Sequence, residues 1–147
     1  MFTTVTDTSS TCDLTTLASI YVSVPSIIPG GVSVESYPSL SATEFEMAFA
    51  GSFNPGTCTA GTGGTFSCGG IQTQQPVTYL TSTGSWNVNL SLVFTAINGT
   101  MNGVSSMSMS TTATIQSCGS GFPCMTFSFV AGSLPCDIEL DISASLY

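Results

Sequence analysis

Residues 85–97 read SWNVNLSLVFTAI and alternate between apolar and polar side chains almost throughout. The apolar positions that share one side are Trp86, Val88, Leu90, Leu92, Phe94 and Ala96. Successive side chains of a β-strand point to opposite faces, so this pattern predicts a strand with one buried face. We take it as the central strand of the fold.

The last eleven residues, 137–147, read DIELDISASLY and show the same alternation. The apolar side consists of Ile138, Leu140, Ile142, Ala144 and Leu146, and the polar side of Asp137, Glu139, Asp141, Ser143 and Ser145. Chain ends are usually irregular, so a pattern this regular predicts an ordered strand.

Similar patterns predict the remaining strands. They fall at residues 19–28, 32–39, 43–53, 71–82, 104–117 and 124–131, with turn signals PGG at 29–31 and NGTMNG at 98–103. A stretch rich in glycine and cysteine, residues 54–70, interrupts the series. About eight strands at this spacing predict a single antiparallel β-sandwich, of which a jelly roll is one form. We expect residues 12–147 to form this domain, and residues 1–11 to form an arm that precedes it.

The charge composition excludes many functions. The 147 residues include no lysine, arginine or histidine and eight carboxylates, which gives a net charge of −8. Catalytic triads, Schiff-base lysines, P-loops and histidine metal sites need residue types that are missing here. A chain of this charge also repels nucleic acid and anionic membranes. We therefore predict a protein that is not an enzyme, uses no cofactor or metal and binds no nucleic acid.

Composition also indicates where the protein is located. With so few charges, 24 serines and 22 threonines supply the polar surface, which suits exposure to acid, salt or heat. No apolar run approaches the ~20 residues of a transmembrane helix. A secretory signal peptide begins with basic residues, so we expect a chain that is already processed or never carried one. These features favour an extracellular or cell-surface location without membrane insertion.

Six cysteines form an even set in a small chain, which predicts disulfide bonds and an oxidising compartment. They are Cys12, Cys58, Cys68, Cys118, Cys124 and Cys136. A bond from Cys58 to Cys68 would close a glycine-rich loop, and a bond from Cys118 to Cys124 would close GSGFP. The remaining two either tie the ends of the domain together, or Cys12 cross-links neighbouring subunits. Zinc binding is the alternative for the set, but the chain has no CxxC pair.

Carboxylates two residues apart on strands are the candidates for a catalytic or metal site. Glu44 and Glu46 form one group, and Asp137, Glu139 and Asp141 form the other. Neighbours of this kind lie roughly 6.5–7 Å apart, which would suit a glycosidase pair or calcium ligands. The alternation of the strands predicts the same carboxylates as a solvated face without any site, and we favour that interpretation.

Two other groups have both a functional and a structural interpretation. Met101, Met107 and Met109 could bind Cu(I) through their thioethers, but the alternation around them favours a place in the core. A sugar-binding platform could be built from the aromatic side chains of Trp86, Tyr21, Tyr37, Tyr79 and Tyr147. The phase of Trp86 in its strand instead favours burial for that residue.

Two sequons predict N-glycosylation, Asn89-Leu90-Ser91 and Asn98-Gly99-Thr100. Asn89 lies on the polar side of the central strand, and Asn98 lies in a predicted turn. We therefore expect both asparagines at the surface, where a glycan can be attached.

The chain ends suggest how copies could be joined. Either residues 137–147 form an ordinary strand of their own sandwich, or a terminal segment completes the sheet of a neighbouring subunit. Repeated head-to-tail addition of this kind produces an open filament. We assign residues 2–10 as the exchanged strand, with Phe2 and Val5 as its contacts in the neighbour, and the C-terminal strand as part of the body.

This layout resembles that of extracellular filament subunits of the donor-strand type, such as archaeal bundling pili and thread filaments. The resemblance rests on the N-terminal segment FTTVTDTSS, the Ser/Thr-rich β-sandwich, the sequons and the lack of an apolar N-terminal helix. It implies polymerisation, with roles in adhesion and biofilms. We therefore predict a structural subunit of an extracellular filament, pilus, tube or sheath, which binds itself and has surface glycans as a further candidate partner. The alternatives are a secreted carbohydrate-binding module and a viral capsid or decoration protein.

Overall fold

The protein is described by a computed structural model over residues 2–19, 22, 32–35, 43–49, 52–81, 84–102, 106–119 and 121–145. For residues 2–4, 32–35 and 52–54 the description covers the backbone. The elements in chain order are β1 (Phe2–Ser10), α1 (Leu14–Ser19), β2 (Val32–Glu35), β3 (Glu44–Phe49), β4 (Ser52–Asn54), β5 (Gly56–Ala60), β6 (Thr65–Cys68), β7 (Ile71–Thr81), β8 (Gly84–Asn102), β9 (Ser106–Ser117), α2 (Phe122–Val130) and β10 (Cys136–Ser145). A 3₁₀ turn, Thr62–Gly64, joins β5 to β6.

Hydrogen bonds join the described strands into one 10-stranded antiparallel sheet. Along its main path the order is β1-β10-β9-β8-β6-β5-β3-β2, and β7, which also pairs with β4, branches from β8. The branch forms because β8 is long enough for β7 to pair with residues 84–94 and for β6 to pair with residues 97–100. The predicted all-β, disulfide-bonded class is confirmed, whereas the two separate layers of a sandwich stay a prediction.

The strand β8 has a bulge where its partner changes. Ala96 has a φ of 51°, in the left-handed region that non-glycine residues rarely adopt. The register with β9 shifts between Thr95 and Asn98, so that β8 has one extra residue there. Phe94 is buried before the bulge and Ile97 after it, while Ala96 is exposed. The prediction that Ala96 belongs to the apolar face is therefore wrong, because an extra residue reverses the alternation.

The core lies on the inner face of β7, β8, β9 and β10. The ring of Phe49 in β3 packs against Phe94 in β8 with centroids 4.7 Å apart. On the β7 side, Tyr79 packs against Phe127 of α2 with centroids 6.1 Å apart. The terminal strand β10 pairs with β9 and buries alternate residues, Cys136, Ile138, Leu140, Ile142 and Ala144. The sequence therefore predicts this strand correctly as part of the body.

Both helices differ from the expectation for their segments. The prediction of a strand at residues 124–131 is wrong, because the chain forms α2 there and buries Cys124, Phe127 and Ala131 at helical spacing. Pro123, in the first turn of α2, suits the start of a helix. The short helix α1 is not predicted by the sequence pattern, and it buries Leu17.

Two further predictions need correction, and parts of two other predicted strands lie outside the described residues. The excursion at residues 54–70 contains β5 and β6, which pair with Cys58 opposite Cys68. The strand β8 continues to Asn102, so Asn98 lies in a strand and not in a turn. Of the strand predicted at 19–28, residues 20, 21 and 23–28 lie outside the described part, as do residues 36–39 of the strand predicted at 32–39. Within the described ranges, neither helix is long and apolar enough to cross a membrane.

Candidate functional site

The strand β1 lies at one edge of the sheet and pairs with β10 of the same chain. The two strands are antiparallel, with Val5 opposite Ile142 and Ser10 opposite Ile138. Among the described strands, β10 is the one partner of β1. In a single copy, the predicted N-terminal arm is therefore an edge strand of its own sheet and not a free segment.

Over residues 5–10, whose side chains are described, side chains contribute little to the attachment of β1. Val5 packs partly buried against the core, and residues 6–10 are exposed. Complete burial of a valine is worth about 1.5–3 kcal/mol, so the partial burial of Val5 contributes less. The backbone of Phe2 lies opposite Ala144, and its side chain is outside the described part. Over residues 5–10, main-chain hydrogen bonds to β10 are therefore the larger part of what holds the strand.

The ladder between β1 and β10 is also interrupted. Its register shifts between Phe2 and Thr4 and again between Asp7 and Ser9. Beyond the second shift, Ser9 donates a hydrogen bond from Oγ to Oε2 of Glu139 at 2.8 Å. Both atoms belong to exposed side chains, so this bond is a weak addition in water.

The base of β1 is fixed to the start of β10. The amide N of Thr11 donates to the carbonyl O of Asp137 at 2.8 Å, and the amide N of Asp137 donates to Oγ1 of Thr11 at 2.7 Å. One residue later, Cys12 forms a disulfide with Cys136, and both are buried. The structure thus pairs Cys12 within the chain, and the alternative of a bond between subunits is not the one observed.

The helix α1 begins directly after this disulfide. Asp13 accepts a hydrogen bond at Oδ1 from the amide N of Thr16 at 3.0 Å, and one at Oδ2 from the hydroxyl of Thr16 at 2.6 Å. These bonds from Thr16 lower the pKa of the Asp13 carboxyl, because they stabilise its charged form. The amide N of Asp13 in turn donates to the carbonyl O of Ala131 at 2.8 Å, which fixes the segment to the end of α2. A hinge for β1 is consequently restricted to Thr11 and its immediate neighbours.

The other two disulfides are local. Cys58 and Cys68 are directly opposed in β5 and β6, and their bond spans 10 residues of sequence. Cys118 and Cys124 join the segment after β9 to the first turn of α2 across 6 residues. These are the two short-range pairs that the sequence favours.

The carboxylates do not converge on a site in the described part of the chain. Asp137, Glu139 and Asp141 are exposed on the outer face of β10. Glu44 and Glu46 are half-buried on β3, five positions away in the strand order. Asp137 accepts a hydrogen bond from the hydroxyl of Thr114 at 2.7 Å. Within the described ranges, no group of three or more carboxylate or cysteine side chains is placed to hold a metal ion.

A shallow cleft runs along the outer face of the sheet at the β8 bulge. Its three depressions have volumes of ≈ 570, 280 and 260 Å³, and Asn98 lines all of them. The largest is lined mainly by β5, β6 and β8, with threonine and serine hydroxyls such as those of Thr59, Ser67 and Thr100. The two smaller ones reach Asp141 on β10. The sequence gives no signal for this cleft, since it depends on the bulge at Ala96.

Both predicted glycosylation sites are exposed. Asn89 lies on the outer face of β8, and its Nδ2 donates to Oε1 of Gln74 at 3.4 Å. Nδ2 of Asn98 donates to the carbonyl O of Ala96 at 3.1 Å and lies within the cleft. Exposure permits modification at both positions, and the presence of glycan stays a prediction.

The three methionines of the candidate thioether site and most of the described aromatic residues belong to the core or pack against it. Met107 and Met109 are buried, and Met101 is partly buried against the same cluster. Tyr79 is fully buried, which raises the pKa of its phenol, and its hydroxyl donates to the carbonyl O of Pro123 at 2.7 Å. Trp86 is half-buried. A sugar platform that includes Tyr79 is therefore wrong, and Tyr21, Tyr37 and Tyr147 lie outside the described residues.

Comparison of the chain with protein-family models, with curated proteins and with solved structures finds no match.

Proposed function

We propose that the protein is a structural subunit of an extracellular filament, pilus, tube or sheath, in which β1 of one copy pairs with β10 of the next. The observation that carries the proposal is the position of β1, an edge strand that pairs with β10 alone among the described strands and is held over residues 5–10 mainly by main-chain hydrogen bonds. Over residues 5–10, where Val5 alone packs partly against the core, such a strand can leave its own sheet without exposing a large apolar area. The edge of β10 that it leaves can then accept the same strand from another copy.

Exchange would preserve the contacts of the single copy. The same register would form between two chains, with Val5 beside Ile142 and Ser10 beside Ile138. No contact of β1 with β10 is lost in this process, which is why strand exchange is a low-cost route to assembly. The balance between the two forms then depends on protein concentration and on the conformation of the hinge.

The disulfide at the base of β1 supports exchange in two ways. Because Cys12 is bonded to Cys136, the rest of the chain stays closed when β1 departs. Each copy has one such strand and one β10 edge, so exchange repeated from head to tail would give an open polymer, whereas reciprocal exchange between two copies would give a closed dimer. The short hinge at Thr11 would also hold neighbouring copies close together.

An extracellular location is supported by the disulfides and by the surface. Three disulfides form and persist in oxidising environments. The absence of lysine and arginine also removes every cleavage site for trypsin-like proteases, which suits an exposed polymer.

A cysteine pair placed across β1 and β10 tests the exchange. Thr6 and Asp141 face each other in the register, so the double variant Thr6→Cys, Asp141→Cys can form a bond between the strands. Oxidised as a dilute monomer, it should be locked in the unexchanged form and should show no filaments in electron micrographs. Oxidised after assembly, it should give a ladder of covalent oligomers on a non-reducing gel.

Each single variant, Thr6→Cys or Asp141→Cys, serves as the control, because it carries the substitution without the bond between strands. Filaments formed by the locked monomer would contradict the exchange of β1. A monomer band alone from oxidised filaments would contradict it as well, since it would place both cysteines of each bond in one chain.

A secreted carbohydrate-binding module is the second candidate, favoured by the hydroxyl-lined cleft around Asn98. Polyhydroxyl ligands suit a site whose lining is made of threonine, serine and asparagine. Retention of the monomer on a glycan column, and its loss in the variant Thr59→Val, which leaves the Asn98 sequon intact, would support this function. Equal elution of both proteins with the buffer front would exclude it for the glycans tested.

A further inference from the structure

The outer face of α2 is apolar and exposed. We define it by Phe122, Met125 and Phe129, whose side chains are 64%, 70% and 85% exposed. They lie three and four residues apart and so share one side of the helix, opposite the buried Phe127. A helix that is apolar on both sides normally has both sides covered. This face therefore calls for a partner.

The α2 outer face is held in place by its surroundings. The ring of Phe122 packs on Trp86 with centroids 5.7 Å apart. The first turn of α2 is tied to the end of β9 by the Cys118–Cys124 bond. A surface that is ordered before binding loses less conformational entropy on association than a flexible one.

The charge distribution points to a second copy of this chain as the partner. Residues 47–136, which include α2 and the strands from β4 to β9, contain no charged side chain. The chain as a whole has a net charge of −8 and no cationic side chain, so two copies repel each other wherever carboxylates face each other. Asp13 contacts the chain at Ala131, just after α2, so the uncharged surface is that of the helix itself, where two copies can approach with less of this repulsion.

The size of the face sets the strength of the contact. The exposed parts of the three side chains amount to on the order of 400 Å². A stable interface buries about 800 Å² on each partner, so this face supplies roughly half of that area. We infer that the α2 outer face packs against the same face of a second copy, as a weak two-fold contact.

In a polymer the same contact would act many times over. Here the inference rests on the proposed function, because a filament presents α2 at every repeat. Weak contacts between two such filaments would add through their effective concentration and join the filaments side by side. The contact itself does not need the exchange of β1.

The test uses the oxidised variant Thr6→Cys, Asp141→Cys, in which β1 cannot exchange. Sedimentation velocity from micromolar to millimolar concentration should show a reversible dimer. Added salt should strengthen the dimer, because it screens the repulsion between two like-charged chains, each of which keeps seven of the eight carboxylates in this variant. Adding Met125→Ser and Phe129→Ser should raise the dissociation constant at least tenfold, while circular dichroism stays unchanged.

Leu80→Ser is the matched control, since Leu80 is 44% exposed on β7 and lies outside the α2 outer face. A locked protein that stays monomeric at millimolar concentration and high salt would overturn the inference. A dimer whose dissociation constant is unchanged by Met125→Ser and Phe129→Ser would overturn it as well. Binding to phosphatidylcholine vesicles without dimer formation would assign the face to lipid and overturn it too. Because β1 is locked throughout, each of these results is independent of whether filaments form by exchange.

Discussion

Gly99 and Ala96 show how single residues shape the outer cleft. Ala96 supplies the bulge that bends β8, and Gly99 allows three strands to approach behind it. A Cβ added at Gly99 would lie 2.5 Å from the carbonyl O of Ser108 and 2.8 Å from Cβ of Met109. The alternation of apolar and polar residues cannot reveal either role. Neither the bulge at Ala96 nor the close approach of neighbouring strands at Gly99 produces a periodic pattern in the sequence.

Gly99→Ala should destabilise the protein. The new methyl group meets backbone and a Cβ, which cannot rotate away, so the strands must shift at a cost of about 1–3 kcal/mol. Urea denaturation followed by circular dichroism would measure the loss. Gly70→Ala is the control, because its Cβ would lie 3.6 Å from the nearest atom, the carbonyl O of Phe94. Equal stability of the two variants would contradict the crowding at Gly99.

Asp13→Asn should lower the free energy of unfolding at neutral pH. The difference between the variant and the unsubstituted protein should disappear in acid. Hydrogen bonds from Thr16 hold the pKa of Asp13 below its ordinary value of 3.8. The charged form therefore stabilises the fold at pH values above about 4, and this contribution disappears as the pH falls through the lowered pKa. Asparagine keeps the capping oxygen without the charge. The difference in Tm between the two proteins, measured from pH 7 downward, should shrink in the acid range; a constant difference would count against this assignment.

The segment 124–131 illustrates how a sequence can predict a strand where the chain forms a helix. The sequence CMTFSFVA is rich in aromatic and β-branched residues, which favours a strand. The same residues also place Cys124, Phe127 and Ala131 at helical spacing. Because both faces of the segment carry apolar side chains, the alternation of apolar and polar residues that distinguishes a helical period from a strand period is missing. For β8, β9 and β10, by contrast, one face is buried and one is in water, so alternation alone predicts them.

Two phenylalanines in α2 distinguish helix from strand experimentally. In a strand, Phe127 and Phe129 would share one face, whereas in α2 Phe127 is fully buried and Phe129 is 85% exposed. Phe127→Ala should therefore cost about 3–5 kcal/mol of the free energy of unfolding, because it leaves a cavity beside Tyr79. Phe129→Ala should change it by less than about 0.5 kcal/mol. Comparable losses in denaturation experiments would contradict the helix.

The N-terminal segment shows where prediction from sequence reaches its limit. Residues 2–10 have few apolar side chains, yet they form β1 because the edge of β10 offers main-chain partners. The sequence indicates that such a segment can add to a sheet. It contains no signal for which copy supplies that sheet, because the register within a chain and between chains would be the same.

The three disulfides divide the molecule into one long and two short loops. The bond from Cys12 to Cys136 spans 124 residues, whereas the other two span 10 and 6. The short pairs follow from proximity in the sequence, whereas the sequence leaves Cys12 and Cys136 either to pair with each other or to bond between subunits, and the structure pairs them. The branched order of the sheet does not follow from the sequence, because β8 pairs with β7 along one part of its length and with β6 along another.

Replacing Cys12 and Cys136 together by alanine should destabilise the fold most. In the chain-entropy model, loss of a loop this long costs about 5 kcal/mol, against about 2.4 kcal/mol for the shortest one. The double variant Cys118→Ala, Cys124→Ala is the control, and urea denaturation gives both values. The reverse ranking would indicate that the long bond constrains the unfolded chain less than its length implies.

The pairing direction of β1 and β10 has a mechanical consequence. In an exchanged polymer, each donated strand would leave its acceptor at Ser10, beside Ile138, and the acceptor's own strand would start from Cys12, which is bonded to Cys136. The two points at which a pulling force acts on the strand pair would therefore lie at the same end of it. A pull along the fibre would peel the pair open bond by bond instead of shearing all its bonds at once, so a longer strand would add little tensile strength.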